Sequence, residues 1–167
     1  MPLVSNSISI VIPVLNEALN ISRLLVHLNE KSAGGHISEI IVVDGHSQDN
    51  TAALVKEFSK TSSIAIQLIH SETGRAKQMN TGAKASIGSV LYFLHADSVP
   101  PQNFDSLIIS EIKKQHLAGC FKMRFDSSHW WLALVSWATR FNWSICRGGD
   151  QSLFITKGVF DEIGGFD

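Results

Sequence analysis

Four short apolar runs, each followed by a segment of different periodicity, constrain the fold of this chain more than any other feature. ISIVIPV spans residues 8–14, EIIVVDG carries the run 39–43 into Asp44, IAIQLIH spans 64–70, and SVLYFLH is the fourth. Between them, ALNISRLLVHLNEK sets Leu19, Leu24, Leu25 and Leu28 at the spacing of one helix face. TAALVKEF comes after Asp49 and Asn50, where a helix cap is wanted, and GRAKQMNTGAKAS reads as a loop turning into a helix. Unbroken β-branched runs are the mark of strands buried on both faces. Four repeats of strand and helix predict an α/β fold, a three-layer α/β/α sandwich on a mainly parallel, Rossmann-like sheet.

After Pro100-Pro101 the pattern changes. NFDSLIISEIKK predicts a helix, AGCFKMRF a strand with some alternation, and HWWLALVSWATRFNW an aromatic-rich helix. QSLFITKGVFDEIGGFD adds a short strand and a short helix. No linker interrupts the chain, so residues 1–167 are read as one domain.

Hydrophobic residues make up 44% of the chain and charged ones 17%, a composition that folds. Fourteen basic and fifteen acidic side chains leave a net charge of -1, which gives no support to a nucleic-acid partner. Cys120 and Cys146 are too few for a disulfide framework. MPLVSNSISIVIPV has no basic start and no cleavage-like site, and no apolar run reaches the roughly 18 residues needed to span a bilayer. A cytoplasmic protein is expected. Peripheral membrane contact stays open through Trp130, Trp131, Trp137 and Trp143, with Arg140 near the headgroups. Sparse basic residues favour burial of that helix instead.

Ligands of open α/β sheets bind beyond the carboxyl ends of the strands. Each predicted strand runs into polar residues: Asn16 and Glu17 after the first, Asp44, Gly45, Ser47 and Asp49 after the second, Gly74, Arg75 and Lys77 after the third, His95 and Asp97 after the fourth. Carboxylates can accept bonds from ribose hydroxyls, Arg and Lys offset phosphate charge, and Asp97 offers hard oxygen to a divalent ion. Taken one at a time, most have a plainer reading. Asn16 and Asp49 can be helix caps, Gly45 a turn residue, Arg75 and Lys77 solvated charges, and His95 a local hydrogen-bond donor. Only Asp44 and Asp97 stand out alone; together, the four strand ends make one polar rim.

IPVLNE, VVDGHSQDNT, GRAKQMNTGA and LHADSVP, in that order, resemble the successive motifs of the family-2 nucleotide-sugar glycosyltransferases with the GT-A fold. In the second motif Asp44, Ser47, Asp49 and Thr51 match the family's usual form, while Gly45 stands where a second acidic residue is usual. LHADSVP resembles the Asp-x-Asp metal motif with His95 in the first acidic place. His-Ala-Asp and GGDQSLF are similar to a bacterial subgroup associated with radical-SAM and selenium-related genes.

The resemblance implies a nucleoside-diphosphate sugar, UDP- or GDP-linked, bordered by Pro13, Asn16, Glu17 and Asp44. Arg75 or Lys77 would neighbour base or phosphates, and Asp97 would hold Mn²⁺ or Mg²⁺. A His95 imidazole would tilt the choice towards Mn²⁺. Residues 1–99 would form the nucleotide-sugar half and 100–167 part of the acceptor side. The implied reaction is metal-dependent inverting transfer to an acceptor whose identity stays open, a lipid-linked one included.

The family's Glu-Asp pair, whose Asp is the usual base, comes after a Gly-Gly-Phe stretch. Here Gly164-Gly165-Phe166-Asp167 ends the sequence. The expectation is a chain that stops before its base; Asp150 in GGDQ is the best available substitute, and its plainer reading is a structural or acceptor-binding carboxylate. If cut short, it would expose an apolar patch that favours a homodimer. A non-catalytic sugar-nucleotide binder is the alternative. A nucleotidyltransferase or dinucleotide-binding enzyme is a second, opposed by the absence of G-x-G-x-x-G after the first strand.

Overall fold

The first apolar run pairs on both sides. In the computed structural model, which describes residues 6–121 and 152–167, β1 (Ile8–Val14) lies parallel to β2 (Ile37–Asp44) on one side and to β4 (Val90–Phe93) on the other. β3 (Ile66–His70) extends the sheet beyond β2, again parallel. The remaining strands are β5 (Ala118–Cys120) and β6 (Leu153–Thr156), and the order is β3-β2-β1-β4-β6-β5, with β6 antiparallel to both its neighbours. Strands from both halves of the chain therefore share one sheet. The aromatic helix predicted over 129–143, Cys146 and Asp150 lie outside the described residues.

Alternation along each strand divides the core. Ile10, Ile12, Tyr92 and Leu94 pack with α1 (Ile21–Lys31), α2 (Thr51–Ser59) and α4 (Phe104–Lys113). Val11, Val43, Leu91 and Phe93 pack on the other face with α3 (Arg75–Ala85) and α5 (Lys157–Glu162). Both sheet faces are covered, which is why these strands read as unbroken apolar runs.

Two sequence expectations are corrected. Helical spacing places Leu19 on the buried face of α1, yet it precedes the helix and is 95% exposed. The carbonyl of Glu17 accepts from the amides of Asn20 and Ile21, so the first turn closes there and the apolar stripe runs Ile21, Leu24, Leu25, Leu28. β4 ends at Phe93, two residues before His95. The amide of Ser98 then bonds the carbonyl of His95 at 3.1 Å, so His95 and Asp97 sit in a tight turn and not on the strand.

α3 lies unusually close to the sheet, and Gly82 permits it. A β-carbon at Gly82 would stand 2.4 Å from Cγ1 of Val11 and 3.0 Å from Cγ2 of Val43. At the far end of the helix, the Lys157 ammonium donates to the carbonyls of Ala83 (2.9 Å) and Ser86 (2.8 Å), closing the α3 terminus with a cation. Gly82→Ala should gain about 1 kcal/mol of helix propensity and lose about 1–3 kcal/mol to overpacking, for a net fall in stability. Chemical denaturation checks this. A variant as stable as the parent would mean that α3 can lift off β1 without penalty.

Candidate functional site

The carboxyl ends of β1 to β4 reach one edge of the sheet because all four strands run parallel. Between β1 and β4 the strand order reverses, and the crevice there lies between the loops that leave those two strands. On the side of the sheet that α1 covers, the described residues form a cleft. One wall is α1, through Asn20, Arg23, Leu24 and His27; the other is the turn after β4, from Ala96 to Val99. His27 Nε2 lies 2.7 Å from the carbonyl oxygen of Pro100 and fastens the two walls together.

Beside the cleft, the loops after β1 and β2 are cross-braced. The amide of Asn16 donates to Ser47 Oγ at 2.9 Å, and Asn16 Oδ1 accepts from the amide of Gln48 at 2.8 Å. The amide of Glu17 donates to Thr51 Oγ1 at 2.8 Å, and that of Ala18 to Asp49 Oδ2 at 3.1 Å. Asn16 therefore uses its side chain between loops and does not cap α1. It adopts the left-handed backbone region to do so, at φ 56°. Asp49 uses its other oxygen on the amide and hydroxyl of Thr51. These bonds, the Thr51 hydroxyl foremost, hold the Asp49 carboxyl below its usual range.

Asp44 lies behind this brace, 3% exposed. Strand alternation puts it on the same face as Val42, the side covered by α1 and α2. It accepts from the amide of Ser47, and His70 Nδ1 stands 3.3 Å from its Oδ2. Asp44 and Asp97 thus belong to the same sheet edge, separated by one strand. Pro13, half-buried, pairs with Val43 near the end of β1.

Gly45 proves to be a packing position. It is not the residue with positive φ; His46 is, at 70°. A β-carbon on Gly45 would meet the Gln78 side chain at 3.0 Å, and Gln78 is fixed there by donating to the carbonyls of Val14 and Val43, each at 2.8 Å. The His46 ring stacks on that of His70, with centroids 6.5 Å apart. His46 and His70 escape a reading of the sequence. The visible signal is a bulky residue directly after Gly45 in a tight turn.

The cations differ in availability. Arg75 opens α3 beside Gly74, whose φ is 139°. Lys77 Nζ lies 2.6 Å from Glu72 Oε2, a pairing that lowers the carboxyl of Glu72. Among the described residues, no three His, Cys, Asp or Glu side chains come together as a metal cage. Asp97 is exposed and makes no hydrogen bond or ion pair with any described residue. Such a carboxylate suits a divalent ion that takes most of its ligands from phosphate oxygens and water. No helix of the described residues is long and apolar enough to cross a membrane.

The model of "Glycosyl transferase family 2" matches residues 9–166. Glycosyltransferase AglE of Haloferax volcanii is 34% identical over 98 residues, which are 58% of this chain and 32% of that protein. A Methanococcus voltae dolichyl N-acetyl-alpha-D-glucosaminyl phosphate 3-beta-D-2,3-diacetamido-2,3-dideoxy-beta-D-glucuronosyltransferase is 30% identical over 101 residues, 59% of this chain and 32% of that protein. The chain thus matches about a third of the length of these curated relatives. Among solved structures, the mannosyltransferase PcManGT of Pyrobaculum calidifontis, in complex with GDP-Man and Mn²⁺, aligns with a TM-score of 0.71 at 21% identity over 96% of this chain and 47% of that one. S. aureus TarS 1-349 with UDP-GlcNAc also gives 0.71, at 15% identity over 96% of this chain and 48% of that one. At these identities the likeness is one of fold, a mostly parallel α/β sheet of the GT-A kind.

The cross-brace has a consequence that needs no ligand. Asp49→Ala removes the acceptor of the Ala18 amide and the partner that orients Thr51. Hydrogen exchange at Glu17, Ala18 and Thr51 should quicken about tenfold or more while exchange in β1 and β2 stays unchanged. In the parent, the Asp49 contribution should hold above the ordinary carboxyl value of 3.8 and fade as pH falls through the lower folded value. Uniform exchange across both loops and strands would show that the brace is not a local unit.

Proposed function

The chain belongs to glycosyl transferase family 2, a family of sugar-transferring enzymes, and from that premise we propose that it binds a nucleoside-diphosphate sugar, UDP- or GDP-linked, at the carboxyl edge of its sheet. The observation that carries this reading is the cleft between α1 and the turn after β4, whose wall holds the Asp97 carboxylate, unpaired among the described residues. Pro13, Asn16, Glu17, Asp44, Gly45, Ser47 and Asp49 would frame the nucleoside side. Some act by contact and others, like Asp49 and Gly45, by holding loops in place. Arg75 and Lys77 would face base or phosphates, Lys77 after release from Glu72.

Asp97, with His95, would hold Mn²⁺ or Mg²⁺. Bound there, the ion would supply Lewis-acid stabilisation of charge on the departing diphosphate. The chain itself would bind the donor, orient its anomeric carbon along the cleft and keep the acceptor hydroxyl in line. A carboxylate must take the acceptor's proton, and Asp150 is the candidate within this chain. The outcome would be inversion at the anomeric carbon.

The finer parts of the reading rest on the sequence motifs. They are a single GT-A unit in a three-layer α/β/α arrangement, with residues 1–99 serving the donor and 100–167 part of the acceptor side. They also include the radical-SAM and selenium-associated subgroup, a cytoplasmic or membrane-peripheral site of action, and self-association. The relatives named for glycosyl transfer and the neighbours bound to GDP-Man or UDP-GlcNAc support the donor class.

Calorimetry tests it. UDP or GDP should bind the chain, with affinity raised about tenfold or more by Mn²⁺, and Asp97→Ala should abolish the metal effect while leaving metal-free binding unchanged. Binding of neither diphosphate, with or without metal, would refute the donor site. A transfer assay on the same chain then separates an enzyme from a binding module.

A further inference from the structure

Resting on that reading, the structure singles out a residue outside the strand-tip motifs. Asn20, Arg23, Leu24 and His27 are spaced i, i+3, i+4, i+7, and this stripe of α1 faces the cleft. Leu24 is 2% exposed, so it anchors the stripe to the core, and His27 is committed to Pro100. Arg23 is exposed and engages no described residue by hydrogen bond or ion pair; across the cleft, the same is true of Asp97.

Arg23 and Asp97 line this one cleft with no ion pair between them. The ligand that complements such a gap carries negative charge towards the guanidinium and a cation towards the carboxylate. A diphosphate with its divalent ion has both.

We propose that Arg23 binds the donor's diphosphate from the α1 wall, opposite Asp97. A guanidinium suits this role, since its planar fork matches phosphate oxygens and its charge does not titrate. Lys77, one of the two cations at the β3 end of this edge, has a carboxylate partner in Glu72. Arg23 has none among the described residues. Its backbone is part of a helix and not of a loop.

Titration of the 167-residue chain with UDP and GDP in Mn²⁺ sets the reference, with uridine and guanosine as phosphate-free controls. Arg23→Ala should weaken the better diphosphate about tenfold and leave its nucleoside within about twofold, and Arg23→Lys should recover part of the loss. Thermal melts confirm that each variant is folded. If Arg23→Ala binds the diphosphate as the parent does, or weakens nucleoside and diphosphate equally, the assignment of Arg23 is overturned and the donor site stands. If the parent binds neither diphosphate, the donor site fails and this inference fails with it.

Discussion

β1 has a parallel partner on each side, and the rim inherits its geometry from that pairing. Hydrogen bonds to β2 and β4 lock three strands in register and align their carboxyl ends. The connection through α1 runs one way from β1 and the chain returns through α3 to β4 on the other side, so the two departing loops diverge. The opening between them is a product of topology. No side chain has to be removed to make it. The side chains line it, and the lining comes from segments far apart in sequence.

Acidic groups in this protein meet two fates, and the contrast helps to read the site. Glu39, near the start of β2, is 1% exposed and fully engaged. It accepts from the Ser9 hydroxyl at 2.6 Å, the Ile87 amide at 2.8 Å and the Gln67 side-chain amide at 3.1 Å. Burial without such partners would carry a desolvation penalty of several kcal/mol. Asp49 and Asp44 are likewise occupied, one by the loop brace and one by Ser47 and His70. Among the described residues, Asp97 has been left to solvent at the mouth of a cleft. A carboxylate used by the chain holds structure; one left open across from an open guanidinium is available to a ligand.

Much of the fold was legible in the residues. ISIVIPV, EIIVV and VLYF are apolar on both faces because helices cover both sides of the sheet, and their order implied a parallel arrangement. Asp44 and Asp97 could be picked out because a polar residue soon after such a run must sit near the sheet edge. Leu19 misleads because a leucine at helical spacing looks buried, whereas the turn closed by Glu17 sets the helix phase and leaves it outside. Gly45 reads as a turn residue because glycine commonly is one. The actual reason is Gln78, some thirty residues later in sequence, packed against it.

The sequence by itself determined where the first four strands fall, that they lie parallel, and that acidic and basic groups gather at their tips, since periodicity and chain direction are local properties. Tertiary structure alone decided which of those groups are taken up by the chain and which face the cleft. It set Asn16 against Gln48 and put Arg23 on the same cleft as Asp97. Such pairings depend on the distance between segments remote in sequence, and that distance exists only once the helices have packed against the sheet.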